Sequence, residues 1–445
     1  MNDLTKGPIT AHLFRFASFI ALTTVFQSLY FLIDLYFVGQ IGRDAIAGVA
    51  LAGNLMLVVL ALTQSLGVGA TALVAHAIGA KDRPRADQVF NQAFVLASLV
   101  GVGFGVLAFA LRGVYVRALA ADAATAEQGI KYLVWFVPAL TMQFFLVALG
   151  SALRGLGDMK MPTVMQVGTV VLNIVLAPVL IAGWGTGRPL GVVGAGLASF
   201  IAIAAGSVAF VLYFRRPASP VRFRPAAWRP QAHLWKQMLG IGLPSGGEFA
   251  LIAIYMAIVY DIIAGFGAAA QAGFGIGGRI MQGLFLPAVA IGFATAPVVG
   301  QNFGARQAAR VRQTFYTAAA LSGAIMGVTS ILCQVAPAAM IGVFSSDPKV
   351  VAFGEEYLRI ASWNFVASGV IFVGSSAMQG MGNTRPALFA SSLRLVLFAL
   401  PAYLLSRQPS FEMRHVWYLS VASIMIHMGV LLWLVKRQFA ERLTA

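Results

Sequence analysis

The chain has 445 residues, of which 59% are hydrophobic and 10% charged, and its mean hydropathy is +0.83. Soluble domains carry about 25% charged residues, so this composition excludes an ordinary cytosolic enzyme, a disordered chain and a disulfide scaffold. It is typical of a polytopic membrane protein. The net charge of +16 would suggest nucleic acid for a soluble protein, but in a membrane protein Lys and Arg gather in cytoplasmic loops, so no nucleic-acid partner is expected. The single cysteine, Cys333, excludes an internal disulfide and a Cys-based metal site.

Twelve apolar runs are long enough to cross a bilayer, which takes about 20 apolar residues. The predicted spans are 12–39, 46–78, 88–111, 130–153, 161–182, 190–214, 237–263, 270–303, 313–343, 355–380, 386–406 and 414–435. We interpret the first run as a helix and not as a removed leader, because it continues past Asp34 with no clear cleavage site. Pro287 and Pro297 predict a break in the eighth run.

The distribution of basic residues predicts the orientation of the spans. With the amino terminus placed in the cytoplasm, 19 of the 31 Lys and Arg residues fall in cytoplasmic segments and 7 in the opposite loops. This asymmetry predicts that both termini are cytoplasmic. An odd number of spans would break the alternation, so the asymmetry also favours twelve.

The two halves of the chain are related by a constant shift of 225 residues. Segments 42–54, 67–85 and 150–158 resemble 267–279, 292–310 and 375–383. Six spans per half make the repeats parallel. We therefore predict an all-α polytopic membrane protein whose twelve helices form two six-helix lobes around a central cleft. Its parts are a lobe at 1–214, a basic, proline-rich cytoplasmic linker at 215–236 and a second lobe at 237–445. This architecture is typical of transporters, although duplication can also build a scaffold that moves nothing.

Polar residues in the first half point to a site. Thr23, Gln27, Tyr30 and Asp34 follow helical spacing on the first span, so they form one polar stripe that must face protein or water. A carboxylate at this depth is costly and indicates function, the alternative being a structural carboxylate satisfied by neighbouring helices. Asn173 on the fifth span can both donate and accept a hydrogen bond, and interhelical packing is an equally good explanation for it.

The second half has its own polar residues within the predicted spans. Glu248 and Tyr255 share a face of the seventh span, and Asn364 begins a polar stripe on the tenth. An ion pair between Glu248 and Arg394 is as reasonable as a role in substrate binding, because pairing removes two lone charges from the bilayer. His427 is isolated and is expected to be a packing residue. The roles of two further charged residues of these spans, Asp261 and Arg279, stay open.

Several segments together resemble the multidrug and toxic compound extrusion (MATE) family. They include DLYFVGQIG at 34–42, GVGATALVAHAIGA at 67–80, LRGLGDMKMP at 153–162, LNIVLAPVLI at 172–181 and PLGVVGAGLAS at 189–199. The resemblance covers nearly the whole chain and implies a two-lobed cation antiporter that exports organic compounds. It places Asp34 on the family's carboxylate of the first helix and Asn173 on its asparagine of the fifth. Many members carry an acidic residue where this chain has Ala177, and sodium-coupled members carry one where it has Ser368.

These observations lead to a set of expectations about function. The protein is expected to export amphipathic organic cations in exchange for protons, sodium being less favoured, by alternating access. The expected ion-coupling residues are Asp34 and Asn173, and the expected substrate-binding residues are Gln27, Tyr30, Asp34, Glu248, Tyr255 and Asn364. We expect no catalytic residue, metal or cofactor, a monomer, and a bacterial inner membrane as its location. The alternatives are a flippase for lipid-linked saccharides and a non-transporting scaffold.

Overall fold

The computed structural model describes residues 3–216, 219 and 221–443, and these are helical with no strand among them. The helices are α1 Ile9–Gly39, α2 Arg43–Gly79, α3 Arg83–Leu119, α4 Ala123–Gly155, α5 Lys160–Ile181, α6 Val192–Phe214, α7 Ala232–Ala264, α8 Ala268–Gly304, α9 Ala308–Val335, α10 Pro337–Gly342, α11 Pro348–Ala361, α12 Asn364–Gly380, α13 Arg385–Leu405 and α14 Met413–Arg442. Eleven of the described helices are long and apolar enough to cross a membrane, and α11 with α12 makes a bent twelfth span. The protein is thus an all-α polytopic membrane protein.

The helices pack into two compact units. Unit 1 contains Phe19–Gly242, and unit 2 contains Leu4–Ser18 with Leu243–Ala445. In unit 1, α4 lies against α2, α3 and α6 around an apolar core. In unit 2, α12 packs on α8, α9 and α14. The unit boundaries fall inside α1 and α7. The predicted division of the chain into two lobes lies at 214 and 236, and it stays a prediction.

The shift of 225 residues reappears in how each unit packs its own helices. A Cβ on Gly155 of α4 would lie 2.7 Å from the carbonyl oxygen of Thr71 on α2. The equivalent Cβ on Gly380 of α12 would lie 2.5 Å from the carbonyl oxygen of Ala296 on α8. Glycine allows the two helices of each crossing to come this close, as is common in membrane proteins. The repeat predicted from sequence is therefore visible in backbone contacts that only glycine permits.

The predicted ninth and tenth spans differ from the helices of the structure. The predicted ninth span, 313–343, divides into α9 and the short α10, because Pro337 lacks an N–H and begins a new helix. The predicted tenth span, 355–380, is the pair α11 and α12, bent by 53°. Side chains of α9 satisfy the backbone at this bend: Ser330 Oγ donates to the Ser362 carbonyl at 3.0 Å, and Gln334 Nε2 donates to the Arg359 carbonyl at 2.6 Å. Such bonds replace those that a bend removes.

The break predicted in the eighth span is wrong. Helix α8 is continuous through Pro287 and Pro297. Each proline removes one backbone hydrogen bond, and a membrane helix held by its neighbours tolerates that loss.

The linker predicted at 215–236 is shorter than expected, because α7 already begins at Ala232. Its described part is held on α3 by three polar side chains. Asn91 accepts from Arg224 N and Trp228 Nε1, both at 2.9 Å. Gln92 Nε2 donates to the carbonyls of Ala227 and Arg229. Asp87 forms an ion pair of 2.8 Å with Arg224. The described part of the connector is thus held against α3 of unit 1.

Candidate functional site

The polar cluster of unit 1 is organised around a serine that the sequence analysis did not select. The hydroxyl oxygen of Tyr30 on α1 lies 3.0 Å from Ser199 Oγ on α6. Asn173 on α5 donates from Nδ2 to the same Oγ at 3.4 Å. Asn173 and Ser199 are buried. One hydroxyl therefore joins three helices, since it can donate one hydrogen bond and accept two.

Asp34 lies one helical turn beyond Tyr30 and is only 8% exposed. Its Oδ1 is buried and has no hydrogen-bond partner, and no Lys or Arg of the described residues lies within 4 Å of it. The residue interacts electrostatically with Tyr30 and with Tyr132 of α4, which is 2% exposed. A carboxylate buried without a counterion is expensive, so this group favours either a proton or an incoming cation.

The other residues of the predicted stripe have different surroundings. Thr23 on α1 donates to Thr163 on α5 at 3.3 Å, whereas Gln27 is exposed. An apolar groove of about 570 Å³ lies between α1 and α5, and Val171 and Val175 line it. Asn173 is two residues from each of these valines, about 200° around the helix, so the groove is on the opposite face of α5 from the polar cluster.

Unit 2 contains a matching arrangement of a tyrosine, a serine and an asparagine. The hydroxyl oxygen of Tyr255 on α7 lies 2.8 Å from Ser420 Oγ on α14, and Asn364 on α12 donates to that Oγ at 3.2 Å. Tyr255 follows Tyr30 by 225 residues, and α14 is the last helix of its half, as α6 is. The asparagine is not equivalent, because it comes from the fourth span of its half in unit 2 and from the fifth in unit 1.

The suggested ion pair between Glu248 and Arg394 does not form. Glu248 Oε2 accepts from Ser375 Oγ at 2.8 Å, and its Oε1 is buried without a partner. The guanidinium carbon of Arg394 lies 4.7 Å from the ring centre of Tyr255, and its Nε is buried without a partner. Arg394 therefore makes a cation–π contact in place of the suggested ion pair.

The carboxylates lie at different levels in the two units. Asp34 is four residues after Tyr30, whereas Glu248 is seven residues before Tyr255. At a rise of about 1.5 Å per residue, they lie about 6 Å beyond and about 10 Å before the tyrosine of their own helix. Asp261 and Arg279 are exposed and belong to neither cluster.

The residues missed by sequence reasoning are Ser199, Ser420 and Tyr132. Serine is common in packed membrane helices, so neither serine stands out in its apolar run. The available signal was the repeat, which relates Tyr30 to Tyr255 and directs attention to the last helix of each half. Among the described residues, no group of three His, Cys, Asp or Glu side chains could hold a metal ion.

Comparison with known proteins gives the context of these two clusters. The profile of the MatE family matches residues 20–179 and 244–404. The chain belongs to this family. It is 25% identical to the probable multidrug resistance protein YoeA of Bacillus subtilis (strain 168), over 89% of this chain and 87% of that protein. It is 26% identical to the probable multidrug resistance protein NorM of Thermotoga maritima, over 90% and 86%.

Solved structures of MATE proteins share the fold. A MATE crystal structure in the bent conformation has a TM-score of 0.92 at 23% identity, covering 98% of this chain and 97% of that one. An outward-facing multidrug resistance MATE transporter of the MOP superfamily has a TM-score of 0.90 at 23% identity, covering 99% and 98%. The chain is therefore a membrane transporter of the MATE family and not an enzyme, as the sequence predicted.

Proposed function

We propose that this MATE protein exports amphipathic organic cations in exchange for protons, and that both compete for Asp34. The supporting observation is the carboxyl group itself, which is 8% exposed and has an unpartnered Oδ1. Burial without a counterion favours the protonated form. A cationic substrate supplies the missing charge and displaces the proton, and a returning proton releases the substrate. One group can thus couple the two fluxes.

The tyrosine beside the carboxyl group supports positively charged substrates. Tyr30 lies one turn from Asp34, and the buried Tyr132 interacts electrostatically with both. Aromatic faces attract cations and also pack against apolar bodies, which suits an organic cation better than a small inorganic one. Multidrug resistance is part of the names of similar proteins such as YoeA and NorM, which is consistent with organic substrates.

Proton coupling is favoured over sodium coupling by the surroundings of the site. Sodium needs several oxygen ligands. The position one turn after Asn173 is Ala177, which is fully buried, and Ser368 occupies the other position at which the family resemblance leads us to expect an acidic residue. The side-chain amide of Asn173 can hydrogen-bond a carboxyl group in either protonation state, since it both donates and accepts, and in the proposed cycle it would favour neither state.

The proposed orientation follows from the distribution of basic residues, and the proposed pair of lobes follows from the internal repeat. Two lobes that alternately open to each side of a bacterial inner membrane, with both termini in the cytoplasm, would export the substrate as a monomer. The predicted substrate-binding residues of the second lobe are Glu248, Tyr255 and Asn364. A flippase for lipid-linked saccharides would need a strongly cationic site for pyrophosphate, which the first cluster lacks.

The experiment that tests this function is gradient-driven uptake of ethidium into proteoliposomes, with the membrane potential clamped. An acidic interior should drive ethidium accumulation by the wild-type protein. Asp34→Asn, which keeps the shape of the side chain, should abolish it, whereas Asp261→Asn serves as the matched control because Asp261 is exposed. Accumulation driven by a sodium gradient alone at equal pH, or full proton-driven uptake by Asp34→Asn, would refute the proposal.

A further inference from the structure

The interior of unit 2 contains a cationic cluster that the proposed cycle does not use. Arg394 lies nine residues into the 21-residue α13, about halfway along this membrane-spanning helix. No Asp or Glu of the described residues lies within 4 Å of it. A guanidinium group stays charged in proteins, so a positive charge sits at this depth without an ionic partner. Such a charge is costly and indicates a ligand site.

Neighbouring side chains add hydrogen-bonding groups and no negative charge. His427 on α14 is 4% exposed, both of its ring nitrogens lack partners, and it interacts electrostatically with Arg394. The guanidinium lies over the ring of Tyr255, whose hydroxyl is hydrogen-bonded to Ser420, and Asn364 donates to the same serine. Helix α7 carries two carboxylates, Asp261 six residues after Tyr255 and Glu248 seven residues before it, about 9 Å and about 10 Å from Tyr255 by helical rise. Asp261 is exposed, and Glu248 is bonded to Ser375.

The chemistry of this cluster matches a carboxylate. Arg394 Nε–H and one His427 N–H are buried donors without acceptors, because a neutral imidazole keeps one N–H. Guanidinium groups bind carboxylates through paired, charge-assisted hydrogen bonds, which are stronger than neutral ones. A ligand carboxylate would neutralise the buried charge and satisfy both donors at once.

We infer that Arg394, with His427, Tyr255, Ser420 and Asn364, forms a site in unit 2 that binds the carboxylate of an organic substrate. The site adds zwitterionic compounds to the cations of the proposed function. This inference concerns binding alone, so its test does not depend on whether transport is coupled to protons.

The test uses two dyes that differ only in the relevant group. Rhodamine 110 carries a carboxylate, and rhodamine 123 is its methyl ester with the same cationic ring system. Dissociation constants are measured by fluorescence anisotropy with the full-length protein in nanodiscs and no gradient. Wild-type protein should bind the carboxylate dye more tightly than the ester. Equal or weaker binding of the carboxylate dye by wild-type protein would overturn the inference without any variant.

Variants then test whether Arg394 causes the preference for the carboxylate dye. Arg394→Gln should reduce the ester-to-carboxylate ratio of dissociation constants at least about tenfold, equal to ~1.4 kcal/mol. Arg394→Lys should keep part of the preference, because it retains the charge and loses the planar fork. Arg279→Gln removes an exposed arginine of the same unit and should leave the ratio unchanged. A ratio that is the same in Arg394→Gln as in wild type would show that Arg394 only packs against Tyr255.

Discussion

The replacement of Gly380 by alanine tests the close helix crossing in unit 2. A Cβ there would lie 2.5 Å from the Ala296 carbonyl oxygen and 2.8 Å from the Cβ of Val299, and both neighbours belong to the stiff frame of α8. Real Cβ contacts stay above 3.0 Å, so α12 must move by about half an ångström. Overpacking costs about 1–3 kcal/mol, and alanine in a helix recovers about 0.5–1 kcal/mol. The expected net loss relative to wild type is about 0–2.5 kcal/mol.

The chain provides its own reporter for this loss. Cys333 is the only cysteine and is fully buried in unit 2, so a thiol-reactive fluorogenic dye labels it when the unit unfolds. Relative to an alanine substitution in open space, which gains the same helix propensity, the loss is about 1–3 kcal/mol and should lower the melting temperature by about 2–12 °C. The matched control is Gly283→Ala on α8, where a Cβ would have no neighbour within 4 Å. If Gly380→Ala melts at or above the temperature of this control, the crossing is not as tight as described.

Three further predictions address other contacts. Ser199→Ala should weaken ethidium binding about 5- to 100-fold, because Tyr30 and Asn173 both lose their buried partner. A binding titration in nanodiscs checks this, and unchanged binding would contradict the bridging role of Ser199. Asn91→Ala should release the connector from α3, which limited trypsin digestion of everted vesicles would detect as faster cleavage at the connector arginines. A cleavage rate equal to that of wild type would contradict this anchoring. Asp122 caps α4, and the hydrogen bond from the Thr125 N–H holds the pKa of this carboxyl below its usual range. The ionised cap therefore stabilises the folded protein at neutral pH. This contribution is lost as the pH falls through the lowered pKa. The melting temperatures of wild type and Asp122→Asn, measured as a function of pH, should therefore become equal in acid. A difference that stays constant over the whole pH range would refute this role of the cap.

Composition and charge were sufficient to predict much of this fold. Apolar runs report directly on spans, because the bilayer demands about 20 apolar residues per crossing. The repeat was visible because the same glycines are needed at equivalent crossings, such as Gly155 and Gly380. The bend between α11 and α12 was not predictable from hydropathy, since it depends on hydrogen bonds from Ser330 and Gln334 of another helix.

The candidate sites were predictable only in part. Asp34 stood out because a carboxylate in an apolar helix has few structural explanations. The bridging hydroxyls of Ser199 and Ser420 did not, since their importance comes from which helices meet. An ion pair between Arg394 and Glu248 was one of two explanations offered for these charges, but the fold places each beside different partners. Sequence distance along a helix cannot tell which face of a neighbouring helix receives a long side chain.

The most direct test of the central claim is the release of protons on substrate binding. Wild-type protein in weakly buffered detergent solution is titrated with ethidium, at a pH at which the substrate-free Asp34 carboxyl group holds its proton, and a pH-sensitive dye records the release. If substrate and proton compete for Asp34, wild type and Asp261→Asn should release protons in proportion to the ethidium bound, up to one per molecule. Asp34→Asn should release none. Proton release by Asp34→Asn equal to that of wild type would contradict the account.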